Sequence, residues 1–467
     1  MSTHKSMRPV PPNPPKSPAN KKPVRIPRWI GVGIALAGVA SISATAGAFL
    51  AVSLSTTPLM QEQLSPEEAK VFSQDDPILG GSNLRLPRLT RPVNILVLGI
   101  KVLSTDLEDA PPELQDLGYQ ALVNSFDGLS DTMLLLRFDP ATEQVVVLSL
   151  PRDTRTYVGS SLTKLNEANR YGGPAMAAQS TSDLLGGVAI DRYVRINVQG
   201  VEKLIDSLGG VTVNVPKDMK YQDDSQHLYI NLKAGEQHLN GNQALQFLRF
   251  RYDDKGDIGR IQRQQMMMRA VVEQALNPTT ISRMPKILSV IQEHVDTNLS
   301  VEELLALVGY AAQTNRSNVQ MLMLPGDFSH PGEFDLSYWL PNYDSIDKMV
   351  AQYFDQGSKT TSTAADSDNP SYLRIAIQDS TGDSLAVQSL IDDLSESGYN
   401  AVSQADDWSE QLAITRIVAQ QGDVASAEMI HRLLGVGEVR VESTGVLNSD
   451  VTIQLGQDWL EEHGKKL

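Results

Sequence analysis

The 467-residue chain has no cysteine, which excludes disulfides, thiolate nucleophiles and cysteine-held zinc or iron–sulfur centres. Histidine is scarce too. His4, His227, His238, His294, His330, His431 and His463 are scattered, and no pair is spaced to share one helix face, so zinc chemistry is not expected. Basic residues are in deficit over most of the length. Residues 1–28 hold Lys5, Arg8, Lys16, Lys21, Lys22, Arg25 and Arg28 and no acid, so taking those seven charges from the formal net charge of −16 leaves −23 on the remainder. A body of that sign is a poor partner for a phosphate backbone, and nucleic-acid binding is not expected. The 41% hydrophobic content is ordinary, and the length suffices for two sizeable cores.

One stretch lacks charge altogether. WIGVGIALAGVASISATAGAFLAVSL, residues 29–54, has 26 residues, and about 20 residues cross a bilayer core at a rise of about 1.5 Å each. Basic residues precede it, and Glu62, Glu67, Glu68, Asp75 and Asp76 follow. The positive-inside rule then predicts a single-pass anchor in the cell membrane, with the N-terminus cytoplasmic and the main domains outside. A cleaved signal peptide is the alternative, since ATAGA resembles a cleavage site, but the apolar run exceeds the usual h-region. Residues 1–28 read as a disordered basic cytoplasmic tail and 55–91 as stalk and linker, the stalk opened by the capping box SPEEAK.

Farther on, VNILVLGI is a continuous apolar run of strand length, and TMLLLRFD and EQVVVLSL follow, joined across DPAT in a hairpin-like turn. Strands are also predicted at DRYVRINV, VTVNVP and NVQMLMLPG. Helices are predicted at 174–185, at GVEKLIDSL, and at 241–248, 259–276, 281–295 and 301–312. This alternation predicts an α/β domain over 92–354, a three-layer α-β-α sandwich with a mixed central sheet, preceded by one transmembrane helix. Residues 355–370 lack large apolar side chains and read as a linker. Residues 371–460, with YLRIAIQDS and VTIQLGQDW, predict a second, smaller α/β domain.

Arginine is concentrated in one place. RFRYDDKGDIGRIQRQ, residues 249–264, packs five cations and three aspartates into sixteen residues. With RFRY extended, Arg249 and Arg251 share a face; DDKGD is a turn with Gly256 as its flexible point. A helix from about Gly259 puts Arg260 and Gln264 on one side with Arg263 nearby. Arginines converging on a helix N-terminus suit an anion, although Asp253, Asp254 and Asp257 could equally pair with them in an internal salt-bridge network. A second cluster, LSLPRDTRTY, sets Arg152, Asp153 and Arg155 just past a strand end, where ligands of open α/β sheets bind. DGLSDTMLLL puts Asp127 and Asp131 before another strand. Carboxylates beside arginines make sense if Mg²⁺ bridges them to phosphate oxygens; turn or cap chemistry at Ser130-Asp131-Thr132 is the plainer alternative. The run QQMMMRAVV suits an adaptable apolar wall or plain core.

NILVLG, LSDTMLLLRFDPATEQVVVLSLPRDT, KLNEANRYGG, VEKLIDSLGGVTVNVP, GEQHLNGNQALQFLRFR and GDIGRIQRQ occur in the order found in LytR-CpsA-Psr proteins. Over roughly residues 93–276 the chain closely resembles that family, and 371–459 resembles the C-terminal domain that some members carry. The resemblance implies a membrane-anchored, extracytoplasmic domain that binds polyprenyl pyrophosphate. Its activity would be to transfer a glycopolymer from that carrier to a hydroxyl of peptidoglycan or another envelope acceptor. It implies that Arg152, Arg249, Arg251 and Arg260 contact the pyrophosphate, that Asp131 lies at a Mg²⁺ site with Asp127 beside it, and that Asp257 and Gln264 hold the arginines. Lys164 and Asn166 also match the family pattern; with Arg155 and Gln264 they complete the expected pyrophosphate- and lipid-binding set. Asp131 or Asp153 would orient or deprotonate the acceptor hydroxyl. One departure stands out. Members commonly have an aspartate after the first strand, as G-x-D, where this chain has GIK with Lys101 and then an insertion over 102–126. Asp127 or Asp106 replaces that ligand, or Lys101 itself reduces the need for metal. Lys101 keeps open a non-catalytic lipid-pyrophosphate binder or assembly factor, and a pyrophosphatase using water is a third reading.

Overall fold

The structure, a computed structural model, describes residues 61, 63–72, 78–80, 87–101, 126–223, 228–250, 256–311, 313–315, 318–330, 332–354, 373–420 and 422–463. The predicted tail and membrane helix, the 355–370 linker, Asp106, Arg251 and the side chains of Lys101 and Asp257 lie outside the described residues. Among the described residues no helix is long and apolar enough to cross a membrane.

Two-fold alternation builds the main sheet. β1 (Val93–Lys101) sends Leu96, Leu98 and Ile100 to one face and Val93, Ile95 and Val97 to the other. β2 (Leu129–Asp139) and β3 (Gln144–Leu150) repeat this, with Met133, Leu135, Val146 and Leu148 on the first face and Leu134, Val145 and Val147 on the second. Strands buried on both faces read as unbroken apolar runs, as these do. The predicted turn joins β2 to β3: Asp139 Oδ1 accepts from the Ala141 and Thr142 amides, and Glu143 takes φ 57°.

β4 (Arg155–Val158) and β5 (Ser161–Lys164) form an antiparallel hairpin. α1 (Glu167–Leu184) is longer than predicted, because a second helical segment precedes a kink at Gly172-Gly173, and Pro174 opens the part that was read from sequence. β6 (Arg192–Asn197) leads into α2 (Val198–Leu208), capped by the Asn197 side chain and ended by Gly209 at φ 90°. β7 (Val211–Val215), β8 (Met219–Asp223), β9 (Leu228–Leu232) and β10 (Gly235–Leu239) make two small ladders, β7 with β10 and β8 with β9. The strand VTVNVP therefore stands outside the main sheet, in a core of its own with Ile230 and Phe247.

The domain continues through α3 (Gly241–Arg249), α4 (Gly256–Ala275), α5 (Met284–His294), β11 (Val295–Thr297) and α6 (Val301–Ala311). β12 (Val319–Met323), β13 (Gly326–Phe328), β14 (Trp339–Pro341) and α7 (Tyr343–Tyr353) complete it. The main sheet has the order β11-β6-β1-β2-β3-β12, with β1/β6 and β3/β12 parallel and the other pairs antiparallel. β1, β3, β6 and β12 consequently all end along the same edge. α1 packs Ala168, Ala175 and Ala178 into one face and α6 packs Ala306 and Leu307 into the other.

A second sheet follows: β15 (Arg374–Asp379), α8 (Ser384–Glu396), β16 (Ala401–Gln404), β17 (Arg416–Ala419), α9 (Val424–Leu434), β18 (Glu438–Arg440), β19 (Val451–Leu455) and α10 (Gln457–His463). Its strand order is β16-β15-β19-β17-β18. The Met321 amide of β12 donates to Val441 O at 2.9 Å, so the outer edge of the first sheet is covered by the second domain. Leu322, Met349 and Phe354 share one continuous core with Ile375, Leu390 and Ile453.

Candidate functional site

Pro151 follows β3 and, having no amide, ends the ladder there. Thr154 folds back on it, its amide and Oγ1 donating to Pro151 O at 3.0 and 2.6 Å. The resulting turn carries Arg152 and Asp153 out of the sheet at the edge where the parallel strands end. Backbone bonds tie it to two other motifs. Asn166 N donates to Arg152 O at 3.1 Å, Leu165 N to Thr154 O at 2.9 Å, and Ser130 N to Asn166 O at 3.2 Å. PRDT, KLN and LSDT, which are far apart in sequence, thus form one rigid rim.

The Asp153 carboxylate is its centre. It accepts from Lys164 Nζ at 2.9 Å, Arg152 Nε at 3.3 Å and Arg260 Nη2 at 3.3 Å. Arg152 Nη1 also reaches Asp131 Oδ1 at 2.5 Å, and Gln264 Nε2 lies 3.5 Å from Asp131 O. Burial alone would push the Asp153 carboxyl up; the Arg152, Lys164 and Arg260 cations outweigh it and hold the group below its ordinary value. The Arg152 guanidinium is shaped by the same contest: burial works against its charge, and Asp131 and Asp153 overcome it and raise its pKa. Among the described residues three cations and two carboxylates meet here, a concentration of arginine and lysine inside an acidic protein. Beside it a small recess of about 40 Å³ is lined by Met133, Leu134, Leu150, Met268, Met323 and Trp339, with Asp131, Arg152, Asp153 and Arg260 at its mouth. An apolar lining under charged groups suits, in its chemistry, an apolar ligand tail with a charged head.

The structure therefore gathers Arg152, Asp153, Asp131, Lys164, Arg260 and Gln264, with Asn166 joined through its backbone. Other expectations change. Arg249 is not on an extended RFRY segment but is the last residue of α3, because the capping box of Asn240 with Gln243 and the buried Ala244 and Phe247 carry that helix through it. Gly256 begins α4 and is not the hinge of a turn. Arg263 turns away from the site, its Nη2 donating to Phe250 O. Arg155 lies over the rings of Phe334 and Tyr338, at 4.8 and 5.8 Å, and Lys164 Nζ is 5.6 Å from the Tyr338 ring. Those two aromatics were missed; the signal was the aromatic-rich segment HPGEFDLSYW. α4 contributes Met268 to the recess, from the run QQMMMRAVV expected as an apolar wall or core.

Asp127 is exposed on the approach to β2, and Lys101 pairs in register with Leu129 after a shift between Gly99 and Ile100. Among the described residues no three histidine, cysteine, aspartate or glutamate side chains gather closely enough to hold a metal ion. Mg²⁺ commonly takes one or two carboxylates and completes its shell with water and substrate phosphates. Of the two carboxylates expected to hold it, Asp131 lies at the rim with Oδ1 bonded to Arg152, and Asp127 is exposed.

Residues 55–355 match the family model described as the LytR_cpsA_psr family, and residues 372–459 match that of the LytR cell envelope-related transcriptional attenuator. The chain is similar to TagV of Bacillus subtilis, a polyisoprenyl-teichoic acid–peptidoglycan teichoic acid transferase. The two are 31% identical over 230 residues, 48% of this chain and 58% of that protein. It is similar to the TagU transferase of Oceanobacillus iheyensis, 32% identical over 243 residues, 50% of this chain and 67% of that protein. It is also similar to biofilm regulatory protein A of Streptococcus mutans, 29% identical over 259 residues, 53% of this chain and 60% of that protein. The chain thus spans less than two thirds of the length of the first and third of these relatives. The crystal structure of Bacillus subtilis TagV superposes with a TM-score of 0.47 at 27% identity, over 57% of this chain and 98% of that one. With its model spanning well over half of the sequence, and the rim motifs inside that span, the family is settled: this chain belongs to the LytR_cpsA_psr family.

Proposed function

We propose that the protein is a phosphotransferase that moves a glycopolymer from a polyprenyl-pyrophosphate carrier to a hydroxyl of peptidoglycan or another envelope acceptor. The observation that carries this is the convergence of Arg152, Lys164 and Arg260 on one carboxylate at the mouth of an apolar recess. Relatives named for teichoic acid transfer to peptidoglycan support it. In this reading residues 29–54 anchor the chain in the cell membrane, with a three-layer sandwich outside. The polyprenyl end lies against the apolar recess, and Arg152, Arg260 and Lys164 leave part of their pairing with Asp153 to hold the pyrophosphate. The family resemblance adds Arg249 and Arg251 as pyrophosphate contacts, Arg155 and Asn166 to the binding set, and Asp257 and Gln264 as the residues that hold the arginines.

The acceptor oxygen attacks the phosphorus next to the sugar. A new P–O bond forms, the bond to the bridging oxygen breaks, and polyprenyl phosphate leaves. The arginines stabilise the charge that gathers on the phosphoryl oxygens. The hydroxyl proton goes to a carboxylate. Asp131 and Asp153 are the rim carboxylates for that role, Asp153 once its cations turn to the pyrophosphate. Magnesium held by Asp131 and Asp127 with the substrate phosphates would add positive charge at the same place.

The test incubates the full-length protein in detergent with a lipid-pyrophosphate-linked oligosaccharide, peptidoglycan oligomers and magnesium, and follows covalent product by mass. Phosphodiester-linked product, lost in Arg152→Met and Arg260→Met, is the expected result. Binding without product, where an active relative turns over, would favour the non-catalytic reading that Lys101 suggests. Released lipid phosphate without a new linkage would mark a pyrophosphatase.

A further inference from the structure

α4 carries charged ties on two opposite sides, beside the bonds of Arg263 to Phe250 O and of Gln274 to Leu208 O. Arg260 and Gln264, in its first half, meet the rim at Asp153 and Asp131. Nine residues after Arg260 comes Arg269, which is about 13.5 Å along the axis and about two and a half turns on, so the two arginines leave the helix in opposite directions. Arg269 Nε bonds Glu273 Oε1 at 3.0 Å, and its Nη1 lies 3.4 Å from Glu442 Oε2 in the C-terminal domain, both partners of that second pair being at most 15% exposed. Glu442 is held in turn: Thr444 Oγ1 donates to Oε2 at 3.2 Å, and Arg440 Nη1 lies 3.4 Å from Oε1. The residue before it, Val441, accepts the Met321 amide of β12. Glu442 is therefore delivered to α4 by a segment registered on the first sheet. Between the two ends Gln265 Nε2 rests against Met323 Sδ at 3.3 Å.

A helix fastened on one side can roll about its axis. At a side-chain radius of about 5–6 Å, a roll of about 20° moves an attached group by about 2 Å, enough to break the 3.3 Å contact of Arg260 with Asp153. We propose that the C-terminal domain is a brace that fixes the roll and register of α4, with Glu442 and Arg269 as positioning residues for Arg260 and Gln264 at the anion site. This assigns the second domain a part in substrate binding through the first, and it rests on the anion-site reading above.

The test uses the full-length protein in detergent and geranylgeranyl pyrophosphate as probe, with binding followed by calorimetry and amide hydrogen exchange followed over residues 260–268. Circular dichroism sets a temperature at which every variant is folded. Glu442→Gln and Arg269→Met are each expected to weaken binding about tenfold, within the usual range of coupling between sites, and to speed exchange over 260–268. The double variant should be no weaker than either single one, and Arg269→Lys should recover most of the affinity. Unchanged binding together with faster exchange confined to 438–445 would overturn the brace. If the unaltered protein binds no lipid pyrophosphate, the anion-site reading fails instead, and exchange over 260–268 in Glu442→Gln still decides whether the domain braces the helix.

Discussion

Replacing Asp153 by Asn tests whether the rim is an anion site held closed by its own carboxylate. The substitution keeps the shape and removes the charge to which Arg152, Lys164 and Arg260 all point. Asp153 is 17% exposed and Arg260 8%, so the pairs lie between the surface and the interior. Exposed pairs contribute about 0–1 kcal/mol and breaking buried ones costs about 3–5, which places this change at about 2–3 kcal/mol. For a large domain that lowers the unfolding temperature by roughly 4–8 °C. Because the folded state holds the Asp153 pKa below 3.8, its contribution is fully present above that value and is lost as pH falls through the folded pKa. The gap between the two proteins should therefore be constant near neutral pH and close on acidification below about pH 4. Differential scanning fluorimetry with and without millimolar inorganic pyrophosphate reads both effects. The anion should raise the unfolding temperature of Asp153→Asn more than that of the unaltered protein, since it replaces the missing charge without competition. An Asp153→Asn protein as stable as the original without added anion, or one indifferent to pyrophosphate, would refute the reasoning.

Arg195 and Asp296 form a buried pair at 2.6 Å, and Arg195 also lies against Asn169 and the Phe126 carbonyl, at the entry to the strand that carries Asp131. Arg195→Met should cost about 3–5 kcal/mol in chemical denaturation, and the added Asp296→Leu change should recover much of it. Gly326 has no room for a methyl: a Cβ there would lie 2.4 Å from Leu340 O and 2.5 Å from Trp339 Nε1. Gly326→Ala should destabilise by about 1–3 kcal/mol and, by displacing Trp339 into the recess, weaken lipid binding in the same calorimetric assay. The Tyr310 hydroxyl donates to Asp139 O and Gln144 O, and burial, aided by Asp139 and Glu143, pushes its pKa up to about 12. Burial raises Tyr353 and Tyr399 as well, so ultraviolet titration should show several late-ionising tyrosines, with one fewer in Tyr310→Phe.

Much of the fold was legible because the main strands are buried on both faces and punctuated by turns. The apolar runs of β1, β2 and β3, the turn at Asp139 and the capping boxes all act within a few residues, so their chemistry is visible in one line of sequence. The helix before Pro174 was missed because the non-helical backbone of Gly172 and Gly173 interrupts it, so no unbroken periodicity carries across. VTVNVP has the pattern of a strand, but that pattern does not name its neighbour, and its partner proved to be β10. Arg249 was misread because alternation over four residues says little against a capped helix that arrives from upstream.

By itself the sequence determined that there are no thiols, that the body is acidic with clustered arginines, and that the rim motifs stand in one family's order. What only the tertiary structure decided is which charges meet. Asp153 gathers Arg152 beside it, Lys164 eleven residues on and Arg260 more than a hundred residues on, and the aromatic cover over Arg155 comes from Phe334 and Tyr338. The same holds for the link between α4 and Glu442. Strand and helix periodicity is set by neighbours along the chain, whereas ion pairing falls off within a few ångströms in space. It therefore depends on how the elements pack, which no local pattern encodes.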